Sequence, residues 1–250
     1  MSRDATDRFS CQATKYATFR PVYPPAFIAT LAALAPTRTL AWDCATGSGQ
    51  AAVQLASHFE TVLATDVSRG QLSCAIPHPR VTYRATAEDD SGAADASVDL
   101  VTVAQALHWL ALPRFFGEVR RVLKPGGVMA AWCYGRVQIA PDVDEVMEWF
   151  EETRLGPLRA PELALMRGGY RDLEFPFDDV PMGQWSMSAV MTQAQFLGFA
   201  GSWSAVAAAR AGAGSDPVDD LKVRLARVWP HDAPPRIVQW PMATRVGRAG

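Results

Sequence analysis

Between residues 35 and 135 the chain alternates short apolar runs with amphipathic stretches of helical spacing. The apolar runs predict strands at Thr39–Trp42, Thr61–Thr65, Val81–Ala85, Val98–Ala104 and Val128–Trp132. Helices are predicted between them at Gln50–Phe59, Arg69–Ala75 and Leu112–Leu123, and ahead of them at Ala26–Leu34. Strands that alternate with helices over short connections favour an α/β fold, with a parallel sheet covered by helices on both faces.

This rhythm changes after Gly135. The later pattern predicts helices at Pro141–Arg154, Thr192–Phe199, Ser204–Ala211 and Pro217–Trp229, and strands at Phe175–Trp185 and Ile237–Thr244. We therefore expect a binding core at residues 35–135, preceded by an N-terminal arm and helix at residues 1–34. Residues 136–235 would form a lid or insertion that selects the substrate, and residues 236–250 would return to the core sheet as its final strand.

The most informative segment is an apolar run that ends in Asp43 and is followed by Gly47 and Gly49. A strand, a glycine-rich turn and a helix in this order form a nucleotide-binding element. Glycine lets the backbone approach a ligand where a Cβ atom would collide. A carboxylate just before the glycines would repel a pyrophosphate, but it suits a ligand that is cationic there. This charge favours S-adenosylmethionine, which carries α-ammonium and sulfonium groups, over a dinucleotide.

Composition and charge narrow the class of partner. The chain has 250 residues, which suits one α/β domain with an insertion, and its formal net charge of −2 gives no reason to expect nucleic acid or a membrane. The 4 cysteines form no CxxC pair, and the 4 histidines also lack ligand spacing. The first residues are polar and lack the apolar stretch of a secretory signal. We expect a cytoplasmic protein with reduced thiols and no metal, as a monomer or homodimer.

Residues 35–135 resemble the class I S-adenosylmethionine-dependent methyltransferases. The resemblance is carried by Asp43, Gly47, Gly49, Asp66, Ala87-Glu88-Asp89, the run from Ala104 to Trp109 and the turn from Leu123 to Gly127. The segment from Tyr16 to Pro24 and the triplet Ser202-Trp203-Ser204 are similar to a narrower group, the trans-aconitate-type and type 11 small-molecule methyltransferases. The resemblance implies a Rossmann-like, doubly wound sheet of seven mostly parallel strands in the order 3-2-1-4-5-7-6, with strand 7 antiparallel. Phe175–Trp185 and Ile237–Thr244 would be strands 6 and 7.

The resemblance also implies contacts with the nucleoside. Asp66 follows Gly47 by the distance expected of one strand–helix–strand step, and its carboxylate would accept hydrogen bonds from both ribose hydroxyls. Val67 and Gln71 would face the adenine edge. The alternatives are a helix cap or turn residue for Asp66, core packing for Val67 and a solvent-facing side chain for Gln71.

Two further pairs of residues are expected near the cofactor. Ala87 and Glu88 would meet the adenine at the end of the third strand, although an acidic run of this kind is also typical of a solvated surface. Arg20 would bind the methionine carboxylate through a paired hydrogen bond, and Tyr16 would cover the cofactor as part of a lid. An ordinary surface arginine and a tyrosine that packs the arm onto the core are the alternatives.

The reaction would be an in-line displacement at the sulfonium methyl group. Its rate would come from holding the acceptor on the axis of the S–CH₃ bond in a dry pocket. Gln105 would supply polarity near the methyl group, and His108 is the candidate general base for an acceptor that needs one. A packed histidine at a helix start is the alternative for His108.

These residues predict an enzyme that methylates a small molecule at an oxygen or a carboxylate. One alternative is an NAD-linked oxidoreductase, because the glycine loop also satisfies a loose dinucleotide pattern and Asp66 suits either cofactor. Another is a non-catalytic protein that binds S-adenosylmethionine on the same fold. A nucleic-acid methyltransferase is disfavoured, because the chain has no basic face and no Asn-Pro-Pro-Tyr or Pro-Cys motif after the fourth strand.

Overall fold

The structure is a computed structural model that describes residues 21–212 and 215–250. Its α-helices are α1 (Pro25–Leu34), α2 (Gln50–Leu55), α3 (Arg69–Leu72), α4 (Leu112–Val122), α5 (Pro141–Trp149), α6 (Leu163–Arg167), α7 (Gln193–Ala200), α8 (Ser204–Ala211) and α9 (Pro217–Val228). Its strands are β1 (Leu40–Cys44), β2 (Thr61–Asp66), β3 (Val81–Ala85), β4 (Val98–Ala104), β5 (Leu123–Tyr134), β6 (Asp178–Asp179), β7 (Trp185–Met191) and β8 (Arg236–Arg248). Short 3₁₀ helices span Leu107–Trp109 and Gly156–Leu158, and a π-helical segment, Phe150–Arg154, follows α5. In these two ranges no helix has both the length and the apolar character needed to cross a bilayer.

The strands form one mixed sheet in the order β3-β2-β1-β4-β5-β8, and β8 also pairs with β6 and β7. Neighbouring strands from β3 to β5 are parallel, and β8 is antiparallel to β5. Parallel neighbours need crossover connections, which here contain α2, α3 and α4. The predicted Rossmann-like order, with one antiparallel strand next to β5, is therefore confirmed.

The prediction of one continuous strand over Phe175–Trp185 is wrong. That segment is fully described, and strand pairing within it is limited to β6 and to Trp185, its last residue, where β7 begins. Pro176 has no N–H group for a ladder, and the rings of Phe175 and Phe177 pack against Phe116 at centroid distances of 5.9 and 5.7 Å. β6 and β7 pair with different stretches of β8, so the described residues form a sheet of eight strands rather than seven.

The sheet separates two hydrophobic cores, because successive residues of a strand point to opposite faces. On β5, Trp132 enters one core and Cys133 enters the other. Trp132 meets Phe27 of α1 edge-on, with ring centroids 5.2 Å apart. On the other face, Trp42 of β1 packs against Phe115 of α4 at 5.9 Å. Since packed side chains cover both faces, the open positions for a ligand lie beyond the strand ends.

Candidate active site

The loop between β1 and α2 has an unusual backbone. Ala45, Gly47 and Gly49 have φ angles of 55°, 58° and 83°, in the left-handed region that glycine adopts without strain. α2 begins directly after Gly49. The strand-to-helix turn that the sequence predicted is therefore present, and glycine occupies two of its three left-handed positions.

The two glycines serve different contacts. A Cβ atom on Gly49 would collide with the hydroxyl and ring of Tyr83 on β3. At Gly47, the nearest atom to an added Cβ is Gln71 Oε1 at 3.8 Å, which is an ordinary contact distance. The sequence predicted that both glycines make room for a ligand. At Gly49 the space that a Cβ atom would need is occupied by Tyr83 rather than by a ligand. At Gly47 that space is open, so a ligand can approach the backbone there.

Asp43, near the end of β1, is hydrogen-bonded to this loop through Thr46. Its side chain is fully buried at the end of β1, where Oδ2 accepts a hydrogen bond from Thr46 Oγ1 at 2.5 Å and Oδ1 accepts one from Thr102 Oγ1 at 2.7 Å. Burial raises the pKa of Asp43 to about 6, and repulsion by the Asp66 carboxylate also raises it. The hydrogen bonds from the two threonine hydroxyls act in the opposite direction and lower the pKa. Asp43 has no exposed surface and does not line the space beyond these strand ends, so it lies behind the binding space rather than on its wall.

Asp66, at the end of β2, is fixed between two loops. Its Oδ2 accepts the N–H of Gly47 at 2.9 Å, and its Oδ1 accepts the N–H of Ser68 at 2.8 Å. Burial raises the pKa of Asp66, and these two backbone bonds lower it. Each carboxylate oxygen can accept more than one hydrogen bond, so Asp66 keeps acceptor capacity for a ligand.

The charge of these two carboxylates is not balanced locally. Within the described ranges, no lysine or arginine forms an ion pair with Asp43 or Asp66, and no cation contributes to either pKa. The two groups therefore create a negative potential at the carboxyl ends of β1 and β2. A ligand with positive charge would compensate it.

A cleft of about 110 Å³, here called the small cleft, lies beyond the ends of β1, β2 and β4. The predicted cofactor-binding residues that line it are Gly47, Asp66, Val67, Gln71 and Gln105. Tyr23, Trp109 and Leu110 also line it and were not among the predicted binding residues. The structure thus brings together residues from four separate loops at one site.

Other predicted residues lie elsewhere. Ala87 is exposed and Glu88 is buried, and neither lines the small cleft. Glu88 Oε1 accepts the N–H of Ala111 at 3.1 Å, which orders the loop before α4. The adenine contact of Ala87 and Glu88 stays a prediction. Tyr16 and Arg20 lie outside the described residues, so their contacts stay predictions as well.

A second space of about 370 Å³, here called the large cavity, adjoins the small cleft. Gln71, Gln105 and Trp109 line both spaces, so they mark the junction. Away from this junction, the wall of the large cavity also contains four aromatic side chains: Tyr134, Phe199, Trp203 and Trp240. Such walls favour a ligand with a flat, apolar body. The sequence predicted that residues 136–235 select the substrate, and Phe199 and Trp203 of this wall lie in that region.

The large cavity also has charged residues in its wall: Arg136, Arg159, Arg167 and Glu151. Glu151 Oε2 lies 3.5 Å from a nitrogen of Arg136 and 3.5 Å from a nitrogen of Arg159. Burial raises the pKa of Glu151, and the two arginines lower it. Arg136 is bound more closely by Glu152, at 2.7 Å. The charges in this wall are largely paired with one another, so a polar group of a ligand would meet both signs.

Gln105 connects the ends of β4 and β5 at the junction. Its φ angle is 57°, although it is not a glycine. Its N–H donates to the carbonyl of Trp132 at 2.8 Å, and its Oε1 accepts the N–H of Tyr134 at 3.3 Å. Left-handed backbone at a residue other than glycine is often found at functional sites. These bonds keep Gln105 at the boundary between the two spaces.

His108 lies in the 3₁₀ helix after β4 and lines the large cavity. It is buried, and its Nδ1 is 3.0 Å from the hydroxyl of Tyr170. Burial lowers the pKa of His108 to about 4, so the imidazole is neutral at physiological pH. Tyr170 was missed by the sequence, because no local pattern links it to a residue 62 positions away.

Comparisons with known proteins agree with this geometry. Residues 42–131, from β1 into β5, match a family described as a methyltransferase domain. A Dictyostelium discoideum protein, provisionally named a methyltransferase, is 31% identical over 227 residues, which cover 89% of this chain and 86% of that protein. The chain belongs to this methyltransferase family.

The methyltransferase is also similar to a solved structure from Anaeromyxobacter dehalogenans, provisionally described as a type II methyltransferase. That similarity has a TM-score of 0.86 and 41% identity, and it covers 93% of this chain and 99% of the other. A Saccharomyces cerevisiae protein whose name describes it as a probable S-adenosylmethionine-dependent methyltransferase is 30% identical over 132 residues, which cover 49% of this chain and 45% of that protein. The family match includes Asp43, Gly47, Asp66 and Gln105, and therefore most of the small cleft.

Proposed function

We propose that this methyltransferase uses S-adenosylmethionine and methylates a small molecule, at an oxygen or a carboxylate. The observation that best supports S-adenosylmethionine as the cofactor is the unbalanced negative charge of Asp43 and Asp66 beside the small cleft. A sulfonium and an α-ammonium group would supply the opposite charge. The name of the yeast relative supports the same cofactor for this chain.

The residues of the small cleft suit an adenosyl ligand. Asp66 lies on its wall with acceptor capacity left for the two ribose hydroxyls. Gly47 leaves its surface open to close approach. Val67 and Gln71 follow Asp66 along the same wall and would lie beside the adenine. Gln105 belongs to both spaces, so it would lie near the transferred methyl group.

The large cavity would hold the methyl acceptor. Its volume of about 370 Å³ lies in the range of pockets for small molecules. When bound, S-adenosylmethionine supplies an electrophilic methyl group on a sulfur that leaves as a neutral thioether. The protein's task is then to hold the acceptor at the junction and to exclude water, for which Trp109 and the aromatic wall are suited.

Isothermal titration calorimetry with S-adenosylhomocysteine tests the proposal. We expect wild-type protein to bind it, and Asp66→Ala to lose about 1–3 kcal/mol of binding free energy, because ribose hydroxyls would be left unpaired. Asp232→Ala is the matched control, since Asp232 is exposed and lines neither space. Equal affinity of Asp66→Ala and wild type, or binding of NADH in place of S-adenosylhomocysteine, would contradict the proposal.

A further inference from the structure

We propose that Arg159 binds a carboxylate of the methyl acceptor, and that the acceptor is a small aromatic acid methylated on a hydroxyl oxygen outside that carboxylate. This inference rests on the function proposed above, and it adds a residue that selects the substrate. It follows from how the charged side chains around the large cavity are divided between the cavity wall and the space behind it.

The charged residues of this region are arranged so that the wall of the large cavity is mainly positive. Its charged lining residues are three arginines and one acid: Arg136, Arg159, Arg167 and Glu151. A second acid, Glu152, forms ion pairs with all three arginines but does not line the cavity. Since part of the balancing negative charge lies outside the wall, an anionic ligand would be attracted to the cavity.

Arg159 is the most loosely paired of the three arginines. Its ion-pair contacts are 3.5 Å to Glu151 and 3.4 Å to Glu152. A charge-assisted hydrogen bond from a guanidinium to a carboxylate is usually about 2.7–2.9 Å long. Arg136 makes two shorter contacts, of 2.7 and 3.0 Å, and Arg167 also lies closer to Glu152. Arg159 has no shorter side-chain hydrogen bond within the part of the chain that the structure describes.

Arg159 also occupies the most sheltered position of the three. Its side chain is 14% exposed, against 36% for Arg136 and 46% for Arg167. The N–H donors of a guanidinium form a planar fork that matches the two oxygens of a carboxylate. Interactions between charges are stronger where water is largely excluded. Arg159 is therefore the arginine of this wall that gains most from the carboxylate of a ligand.

Glu151 limits the charge of the ligand. It lies beside Arg159 in the same wall, on the π-helical segment Phe150–Arg154, and π-helical turns are frequent at functional sites. A phosphate group carries more negative charge than a carboxylate, so Glu151 would repel it more strongly. The wall thus favours a group with a single negative charge.

The carboxylate held by Arg159 is distinct from the oxygen that receives the methyl group. Arg159 lines the large cavity but not the small cleft, whereas the methyl group would arrive at the junction of the two spaces. Hydrogen bonds from a guanidinium also occupy the lone pairs of a carboxylate, which makes it a poorer nucleophile. The aromatic side chains of the wall suit a flat body between the two positions. An aromatic acid with a separate hydroxyl group combines these features.

Probes that differ only in charge test the anion site. 4-Hydroxybenzoate and 6-hydroxy-2-naphthoate have nearly the same shape as their amides, but only the acids carry a carboxylate. With S-adenosylhomocysteine already bound, we expect calorimetry to show that wild-type protein binds at least one acid about 10-fold more tightly than its amide. Equal affinity within both pairs, including no binding of any probe, would overturn the inference. Tighter binding of 4-hydroxyphenyl phosphate than of 4-hydroxybenzoate would also overturn it.

Substitutions of the two partners in the wall should have opposite effects. Arg159→Gln should weaken binding of the acids by about 10- to 100-fold, with the affinities for the amides and for S-adenosylhomocysteine unchanged. Glu151→Gln removes a competing negative charge and should strengthen binding of the acids. Arg171→Gln is the matched control, since Arg171 is exposed and lines neither space. An ion pair with a purely structural role would weaken binding in both variants, and that result would contradict the inference.

Turnover with S-adenosylmethionine tests which oxygen is methylated. We expect the hydroxyaryl acids to yield methyl ethers with the carboxylate unmodified, and Arg159→Gln to raise their KM more than it lowers kcat, because the lost contact is made equally in the ground and transition states. Formation of methyl esters would overturn this inference and leave the proposed function intact. Failure of wild-type protein to bind S-adenosylhomocysteine would instead overturn the proposed function.

Discussion

At the scale of single residues, the site contains buried ionisable groups that are shifted toward their neutral forms. Asp43 has no water contact and no cation nearby in the described ranges, and burial raises its pKa to about 6. Burial lowers the pKa of His108 to about 4, because it disfavours the charged form of the ring. Both shifts make the stability of the protein depend on pH in ways that can be measured.

The Asp43 carboxyl should destabilise the protein as pH rises. Its pKa is about 6 in the folded chain, against 3.8 for an ordinary aspartate, so the folded state holds an extra proton between these two values and stability falls as pH increases through this window. Asp43→Asn has no carboxyl to titrate and so should not lose stability in this way. The free energy of unfolding of Asp43→Asn, relative to that of wild type, should therefore be about 1 kcal/mol higher at pH 7.5 than at pH 5. Urea unfolding of both proteins at the two pH values measures the difference, and a difference independent of pH would contradict the shift.

The His108 imidazole should act in the opposite pH direction. The unfolded ring binds a proton near pH 6.5 and the folded ring near 4, so stability is lost as pH falls through this window. Between pH 7.5 and 5 the loss should be about 2 kcal/mol, and His108→Gln should not show it. Chemical denaturation of wild type and His108→Gln at both pH values measures this term. Parallel losses in the two proteins would show that His108 is not buried in its neutral form.

At the scale of secondary-structure elements, the sequence predicted the elements whose pattern is local. β1 and β4 are almost entirely buried apolar runs, and the turn after β1 needs glycine, so both features could be recognised from a few residues. The predicted strand over Phe175–Trp185 was wrong because aromatic residues there serve the core beside α4 rather than a ladder. β7 has alternating burial, with Met187 and Met191 inside, so the paired strand lies later in the chain than Phe175–Trp185.

The glycine turn gives a prediction with an internal control. Gly49 and Gly126 both have positive φ, of 83° and 73°, but an added Cβ would collide with Tyr83 at Gly49 and would meet nothing within 4 Å at Gly126. Gly126→Ala should therefore lose about 1 kcal/mol of stability through backbone strain alone. Gly49→Ala should lose more, and the added change Tyr83→Phe should recover part of the excess. Thermal unfolding of the three variants measures this order, and equal losses for the two glycines would contradict it.

At the scale of the whole molecule, the site is assembled from loops that are distant in sequence. Gly47, Asp66 and Gln105 could be predicted because each lies at, or within a few residues after, the carboxyl end of a strand in a parallel sheet. Glu151 and Tyr170 could not, because both come from the chain after β5, where no periodic pattern fixes their position. Glu151 lines the large cavity, and Tyr170 contacts His108, which lines it. The sequence therefore indicates a site for the cofactor more fully than one for the acceptor.

The junction between the small cleft and the large cavity is the central claim for the whole molecule, and a crystal structure with S-adenosylhomocysteine tests it most directly. We predict that the ribose hydroxyls will lie on Asp66 and that the sulfur will lie at the boundary marked by Gln71, Gln105 and Trp109, facing the large cavity. An empty small cleft at saturating ligand, or a sulfur atom that faces away from the large cavity, would contradict this account.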